Sequence, residues 1–198
     1  LGYAVLSSLD NKAFMGVKFD EMTAFIRQIR NDYSDLEQYT IAYNLEVYEA
    51  HIRALKSGTG NFDEKHISRA YPQLTVFERY TEQGLMLQRM FLFEKNEAAF
   101  DLTERMMTHI HLLDGMISSV DIYLYMALIR INHHQYLNKG KRNQNIRRIK
   151  DILSIFKRIG RNNSQDFGAL YALVFAEYEA HIQKKSAVED LYYRAIEL

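Results

Sequence analysis

The sequence predicts an all-α chain of stacked helical hairpins, and three observations carry that prediction. Apolar residues recur at helical spacing almost throughout, the breaks between apolar runs are short and polar, and 198 residues hold one proline, Pro72, and nine glycines. That is too little punctuation for an all-β chain, which needs a turn about every 8–12 residues. Short joints make sequence neighbours antiparallel in space, which favours an α-solenoid or an irregular bundle. The clearest hairpin lies in Ala176 to Leu198, where two apolar helical patterns flank a polar break. One such pair cannot bury both faces alone, so the remaining residues must supply its neighbours.

Taken in order, Leu1 to Leu9 and Ala13 to Val17 predict one helix broken near Asp10 and Asn11. Asp20 predicts the N-cap of a second helix that runs through Phe25, Ile26 and Ile29 to about Asn31, since its carboxylate can accept the first-turn amides. Ser34 or Asp35 caps a longer helix with two apolar stripes. Ile41, Leu45, Tyr48 and Ile52 form one, and Tyr39, Tyr43, Val47, Ala50 and Ala54 the other, so this helix needs neighbours on both sides. Ser57 to Asn61 is a loop, and Asp63 starts a short helix that must stop before Pro72, whose ring disfavours helical geometry at Tyr71.

From Gln73 the positions Leu74, Phe77, Tyr80, Gly84, Leu87 and Phe91 hold one face, with Gly84 placed to let another helix approach closely. The break Glu94-Lys95-Asn96-Glu97 leads into a helix over Ala98 to Leu113, ended by Asp114-Gly115. Ser118 or Ser119 caps the next, which carries Ile122, Tyr125, Met126, Ile129 and Leu137. Asn138 to Gln144 is a basic joint, and Ile146, Ile149, Leu153, Phe156 and Ile159 mark an amphipathic helix stopped at Gly160. Ser164 caps a helix through Leu170, Leu173, Ala176 and Ala180, and the terminal elbow follows. About nine or ten helices result, in one helical-repeat domain over residues 1–198.

Composition narrows the function classes. Lys plus Arg and Asp plus Glu both number 25, so no net field draws the whole chain to nucleic acid or an anionic membrane. There is no cysteine, which excludes disulfides, thiolate metal sites and cysteine nucleophiles and favours a cytoplasmic protein. No apolar run approaches the roughly 18 residues of a membrane span. Beginning at Leu1 and ending at Leu198 inside a helical pattern, the sequence has the look of a piece of something longer.

Internal repetition favours the solenoid. Tyr48-Glu49-Ala50-His51-Ile52 recurs unchanged as Tyr178-Glu179-Ala180-His181-Ile182, an offset that fits three or four helix pairs of roughly 34–47 residues. Asn96 to Phe100 and Ser186 to Asp190 each open a second helix after a polar turn, with small residues Ala99 and Val188 at the close-packing position.

Leu191 to Leu198 resembles the second helix of a tetratricopeptide unit, with Tyr192 and Ala195 at its aromatic and small positions. Met15 to Asp20, Asn61 to Glu64, Phe93 to Met106 and Leu112 to Tyr125 extend the likeness. In that order they resemble the helical-repeat region of large bacterial signalling proteins. In those proteins a serine/threonine-kinase-like domain and a predicted ATPase precede the repeats, and a GAF domain and histidine kinase follow in some. The resemblance implies a right-handed superhelical stack of degenerate repeats, since Gln183 and Glu94 stand where such turns usually carry Gly and the chain has no Trp. It carries over no kinase or ATPase residue.

The search for chemistry returns no catalytic constellation, cofactor site or metal site. His109 and His111 are two apart on a helix, His133 and His134 are adjacent, and there is no H-E-x-x-H. Gly58-Thr59-Gly60 follows a helix rather than a strand, which makes it a loop and not a dinucleotide fingerprint. Gly140-Lys141 fails as a phosphate loop, because Gln135 replaces the first glycine and Arg142 the hydroxyl residue. Glu46, Glu49, Glu177 and Glu179 lack the E-x-x-H partner of a di-metal bundle, since Ile52 and Ile182 occupy its His position, so solvated or ion-paired acids are expected.

What remains is charge. Lys139 to Arg161 carries Lys141, Arg142, Arg147, Arg148, Lys150, Lys157 and Arg158 against the single acid Asp151. Either this is the water-facing side of the apolar stripe, or it docks an acidic partner helix, a phosphorylated protein or nucleic acid. The expected function is a non-catalytic interaction or signal-transmitting domain that binds a protein, a peptide or neighbouring domains of its own chain. Its candidate surface is Lys141, Arg142, Arg147, Arg148 and Lys150. The alternative is a small-ligand or peptide sensor of a regulatory ATPase or transcription regulator; a deep apolar pocket favours that, and an open face favours protein recognition. Nucleic-acid binding would show as steep salt dependence. Leu191, Ile196 and Leu198 also suggest weak self-association through the end of the stack.

Overall fold

A computed structural model describes residues 8–9, 11–13, 16–33, 39–58, 75–110, 118–162, 164–183 and 188–197. The expected caps at Ser34 or Asp35, the short helix from Asp63, the stop at Pro72 and the end at Asp114-Gly115 lie outside them. Among the described residues there is helix and turn and no strand. The helices are α1 (Phe19–Asp32), α2 (Tyr39–Ser57), α3 (Val76–Leu92), α4 (Asn96–Met107), α5 (Ser118–His133), α6 (Lys139–Asn162), α7 (Ser164–His181) and α8 (Glu189–Glu197), with a 3-10 turn at His134–Tyr136. The chain forms two compact units: Leu1–Lys95 with Met106–Ile122, and Asn96–Arg105 with Tyr123–Leu198.

In the first unit α2 packs on α1 and on α3. Its stripe of Ile41, Leu45, Tyr48 and Ile52 closes over Leu9, Met22, Ile26 and Ile29. Tyr43 and Val47 form the second stripe, with Ala50 and Leu85 against it. The two faces legible in the sequence are thus both used. Lys56 Nζ meets Asp20 Oδ1 at 2.5 Å and Arg30 Nη2 meets Glu49 Oε2 at 2.9 Å, tying α1 to α2 through exposed pairs of small energetic weight. Asp20 is therefore not the N-cap. Helix α1 starts one residue earlier at Phe19, Lys18 holds the cap position without a side-chain bond, and the Asp20 carboxylate is spent on Lys56, which lowers its pKa.

Gly84 has the packing role its position suggests. A Cβ there would lie 2.5 Å from Cγ1 of Ile122, so the side chain of Ile122 occupies the space a larger residue would need. Helix α3 ends in a Schellman motif: Lys95 N–H donates to Met90 O at 2.8 Å and Glu94 N–H to Phe91 O at 3.2 Å, with Glu94 left-handed at φ 57°.

The second unit contains the terminal hairpins, in which α7 packs on α6 and on α8. Four sequence boundaries shift from Asn96 onward. Residues 139–144 are the first turns of α6 rather than a joint, because Asn138 caps them: its Oδ1 accepts from Lys141 N–H at 3.0 Å. Gly160 does not stop α6, which continues to Asn162; a Cβ there would stand 3.8 Å from the backbone nitrogen of Gly168 on α7, an ordinary contact distance. Helix α4 ends at Met107, well before Leu113, where His109 N–H turns back to Met106 O. Leu137 falls beyond α5, after the 3-10 turn, and is buried.

Candidate interaction surface

Helix α6 is built from two opposed faces. Ile149, Ile152, Leu153 and Phe156 are buried, while Arg147, Lys150, Lys157 and Arg161 are exposed. At about 100° per residue Lys150, Lys157 and Arg161 fall within about 20° of one line and Arg147 within about 60° of it. They form a cationic row down one side of the helix. Asp151 is the only acid in α6, and none of the four cations has an ion-pair partner among the described residues.

The structure separates the five basic residues singled out in the sequence. Arg147 and Lys150 lie in the row. Lys141 is exposed but on the opposite side of the helix. Arg142 donates to the carbonyl of Gln135 at 2.6 Å, which closes the 3-10 turn onto α6. Arg148 is half-buried, and its charge reaches the buried guanidinium of Arg130.

Arg130 is the residue the sequence did not single out. It is 1% exposed, donates to Glu104 Oε1 at 2.6 Å and to Asn145 Oδ1 at 3.1 Å, and lies against the ring of Phe100. Asn145 returns a bond from Nδ2 to the Arg130 carbonyl at 2.9 Å. Burial lowers the pKa of Arg130, and the adjacent Glu104 opposes that shift. This network fixes the rotation of α6, so the row faces water by construction. The available signal was an arginine between Ile129 and Ile131 inside an apolar run.

The row ends at a cleft of about 330 Å³ between α6, α7 and α8. Phe156, Tyr171, Ala172, Phe175 and Leu191, with Gly160 and Gly168, give it an apolar lining, and Lys157, Arg161 and Arg194 a cationic rim. The rings of Tyr171 and Phe175 lie nearly parallel, 5.8 Å apart. Among the described residues no acid lines the cleft. Asp190 and Glu197 border a separate shallow depression on the outer side of α8, which Arg194 also touches. Glu177 is engaged elsewhere: Tyr192 Oη donates to it at 3.0 Å, which ties α8 to α7, and His181 Nε2 lies 3.2 Å from it one turn along α7. Burial and Glu177 raise the pKa of the Tyr192 phenol.

The first unit holds polar groups of another kind. Tyr43 Oη donates to Glu82 Oε2 at 2.7 Å, and Arg89 Nη1 lies 2.7 Å from His51 Nδ1, all four residues being buried. A guanidinium only donates, so Nδ1 accepts and the neutral Nε2–H tautomer of His51 is the one that fits. Desolvation, then the Arg89 charge, lower the His51 pKa to about 3. These groups join α2 to α3. Among the described residues no three His, Asp or Glu side chains converge as a metal site, and no helix is long and apolar enough to cross a membrane.

The repeated pentapeptide occupies unlike surroundings in its two copies. Tyr48 and Tyr178 are both buried, but His51 is buried against Arg89 while His181 is exposed, and Glu49 pairs at the surface while Glu179 is buried. Comparison with known proteins finds no matching family model, no matching curated protein and no matching solved structure.

Proposed function

We propose that this chain is a non-catalytic interaction domain, a set of tetratricopeptide-like helix pairs that receives a protein partner and passes the event to neighbouring domains of a longer signalling protein. The observation that carries the reading is the cationic row of α6 running into an apolar cleft. On a chain of zero formal net charge this is a local field rather than a general one, suited to orienting one partner. Groove recognition of a peptide or helix uses such a surface without covalent chemistry.

Affinity capture with the chain and with an Arg147→Glu/Lys150→Glu variant tests it. A reproducible protein partner lost in the variant is the expected result. A partner set indifferent to the reversal, or turnover of a substrate by the chain, would overturn it. The cleft volume also suits the small-ligand sensor, since such sites begin at about 300 Å³; a small molecule that co-purifies with the chain in place of any protein would favour that reading.

A further inference from the structure

We infer that the cleft between α6, α7 and α8 is the anchor site for an acidic, amphipathic segment of a partner protein. A leucine or phenylalanine of the segment enters the cleft, and its carboxylates lie along Arg147, Lys150, Lys157 and Arg161. This rests on the interaction-domain reading and names the partner's chemistry.

Size, charge and continuity support the assignment. The cleft, about 330 Å³, is roughly twice the ~150 Å³ that takes up a benzene ring, so it accommodates one large side chain and part of a second. Among the described residues its rim is cationic, and neither rim nor lining presents a carboxylate that would repel an acidic ligand. From Arg147 to Arg161 the row spans about 21 Å, close to four turns of a partner helix. Lys157 and Arg161 belong to both row and rim, so one bound segment meets both.

The division of labour follows from exposure. Exposed cations are screened by water and salt, so the row contributes orientation and association rate, while the desolvated anchor sets most of the lifetime. A nucleic acid would use the row but not the cleft. Stacking platforms for bases present their rings to solvent, whereas Phe156 is fully buried and Tyr171 and Phe175 are half-buried.

Fluorescence anisotropy on the full chain tests the proposal with two fluorescein-labelled peptides of equal charge and about four helical turns each. One consists of Glu and Asp with one Phe and two Leu at helical spacing; in the other those three are Ser. The anchored peptide is expected to bind at least about tenfold more tightly. Arg161→Glu should weaken it by about tenfold, and Lys141→Glu, across the helix, by less than about twofold. Tyr171→Ala with Phe175→Ala should bring the anchored peptide down to the level of the other. The two-peptide comparison needs no variant, so it stands even where loss of two rings disturbs folding.

Equal binding of the two peptides would overturn the anchor and leave the basic-surface reading intact. Binding of neither would overturn both. Equal loss from Arg161→Glu and Lys141→Glu, or displacement of the anchored peptide by oligothymidylate at lower concentration than by the acidic peptide, would also overturn the anchor.

Discussion

Gly84 shows what a single missing atom does in this fold. In an exposed helix Gly→Ala gains about 1 kcal/mol from helix propensity. Here the new Cβ would sit 2.5 Å from Cγ1 and 2.9 Å from Cδ1 of Ile122, itself buried, so the whole ethyl arm of Ile122 must move within a packed interior. Overpacking of that kind costs about 1–3 kcal/mol and outweighs the propensity gain. Gly84→Ala is therefore expected to lower stability by about 1–2 kcal/mol in denaturant unfolding. Adding Ile122→Ala should make the pair non-additive, with the double variant less unstable than the sum of the singles. Strict additivity would show that the two residues do not share this space. The glycine was legible in the sequence because it interrupts an apolar face, a place where absence of a side chain has a packing meaning. The buried role of His51 was not legible: the same pentapeptide leaves His181 exposed, and which of the two faces an arginine depends on residues 38 positions away.

At the scale of elements, boundaries depend on caps, and caps rest on one or two atoms. Asn138 was legible as polar but not as a cap, since only the bond from Lys141 N–H to its Oδ1 distinguishes the start of α6 from a joint. Gly160 was misleading for the converse reason: a glycine inside a helix costs about 1 kcal/mol and so reads as a stop, yet α6 runs two residues past it and packs on α7. The apolar periodicity behind the two stripes of α2 was fully legible, because burial on both sides leaves a mark at every turn. Charge was legible as a list and not as a surface. The sequence shows Arg142 and Arg147 alike, and only the fold spends one on a carbonyl while leaving the other in a row. Glu94 yields the prediction at this scale. It holds the left-handed C′ position of α3 at φ 57°, where a Cβ costs of order 1 kcal/mol and the usual residue is Gly. Glu94→Gly should raise stability by about 0.5–1 kcal/mol after the extra unfolded-state entropy of glycine is set against the relief of strain. Loss of stability would mean that the Glu94 side chain contributes more than its backbone costs.

For the whole molecule, the summed charge is zero near neutrality, so pH acts on stability through particular sites rather than through general repulsion. Among the described residues three histidines have lowered pKa values. For His51 the cause is burial, then Arg89, and the value falls to about 3; for His133 it is burial, opposed by Glu97 and Asp101; for His134 it is burial, then Arg142. A base whose folded pKa is depressed binds fewer protons in the folded state than in the unfolded one between the two values. Folding is then favoured above the unfolded value of about 6.5, and that contribution drains away as pH falls toward the folded value. His51 dominates because its imidazole is buried and faces a guanidinium that cannot give up its charge; protonation would set two cations 2.7 Å apart. The melting temperature should therefore fall steadily from pH 7.5 to pH 4.5, a window above most carboxylate titration, with the steeper part below about 6. His51→Gln keeps an acceptor for Arg89 without a titrating group, so it should flatten this limb even if it lowers the plateau near neutrality. A His51→Gln profile parallel to that of the unaltered chain would show that the acid sensitivity arises elsewhere, and a profile flat in both would show that the Arg89–His51 contact does not constrain the folded state.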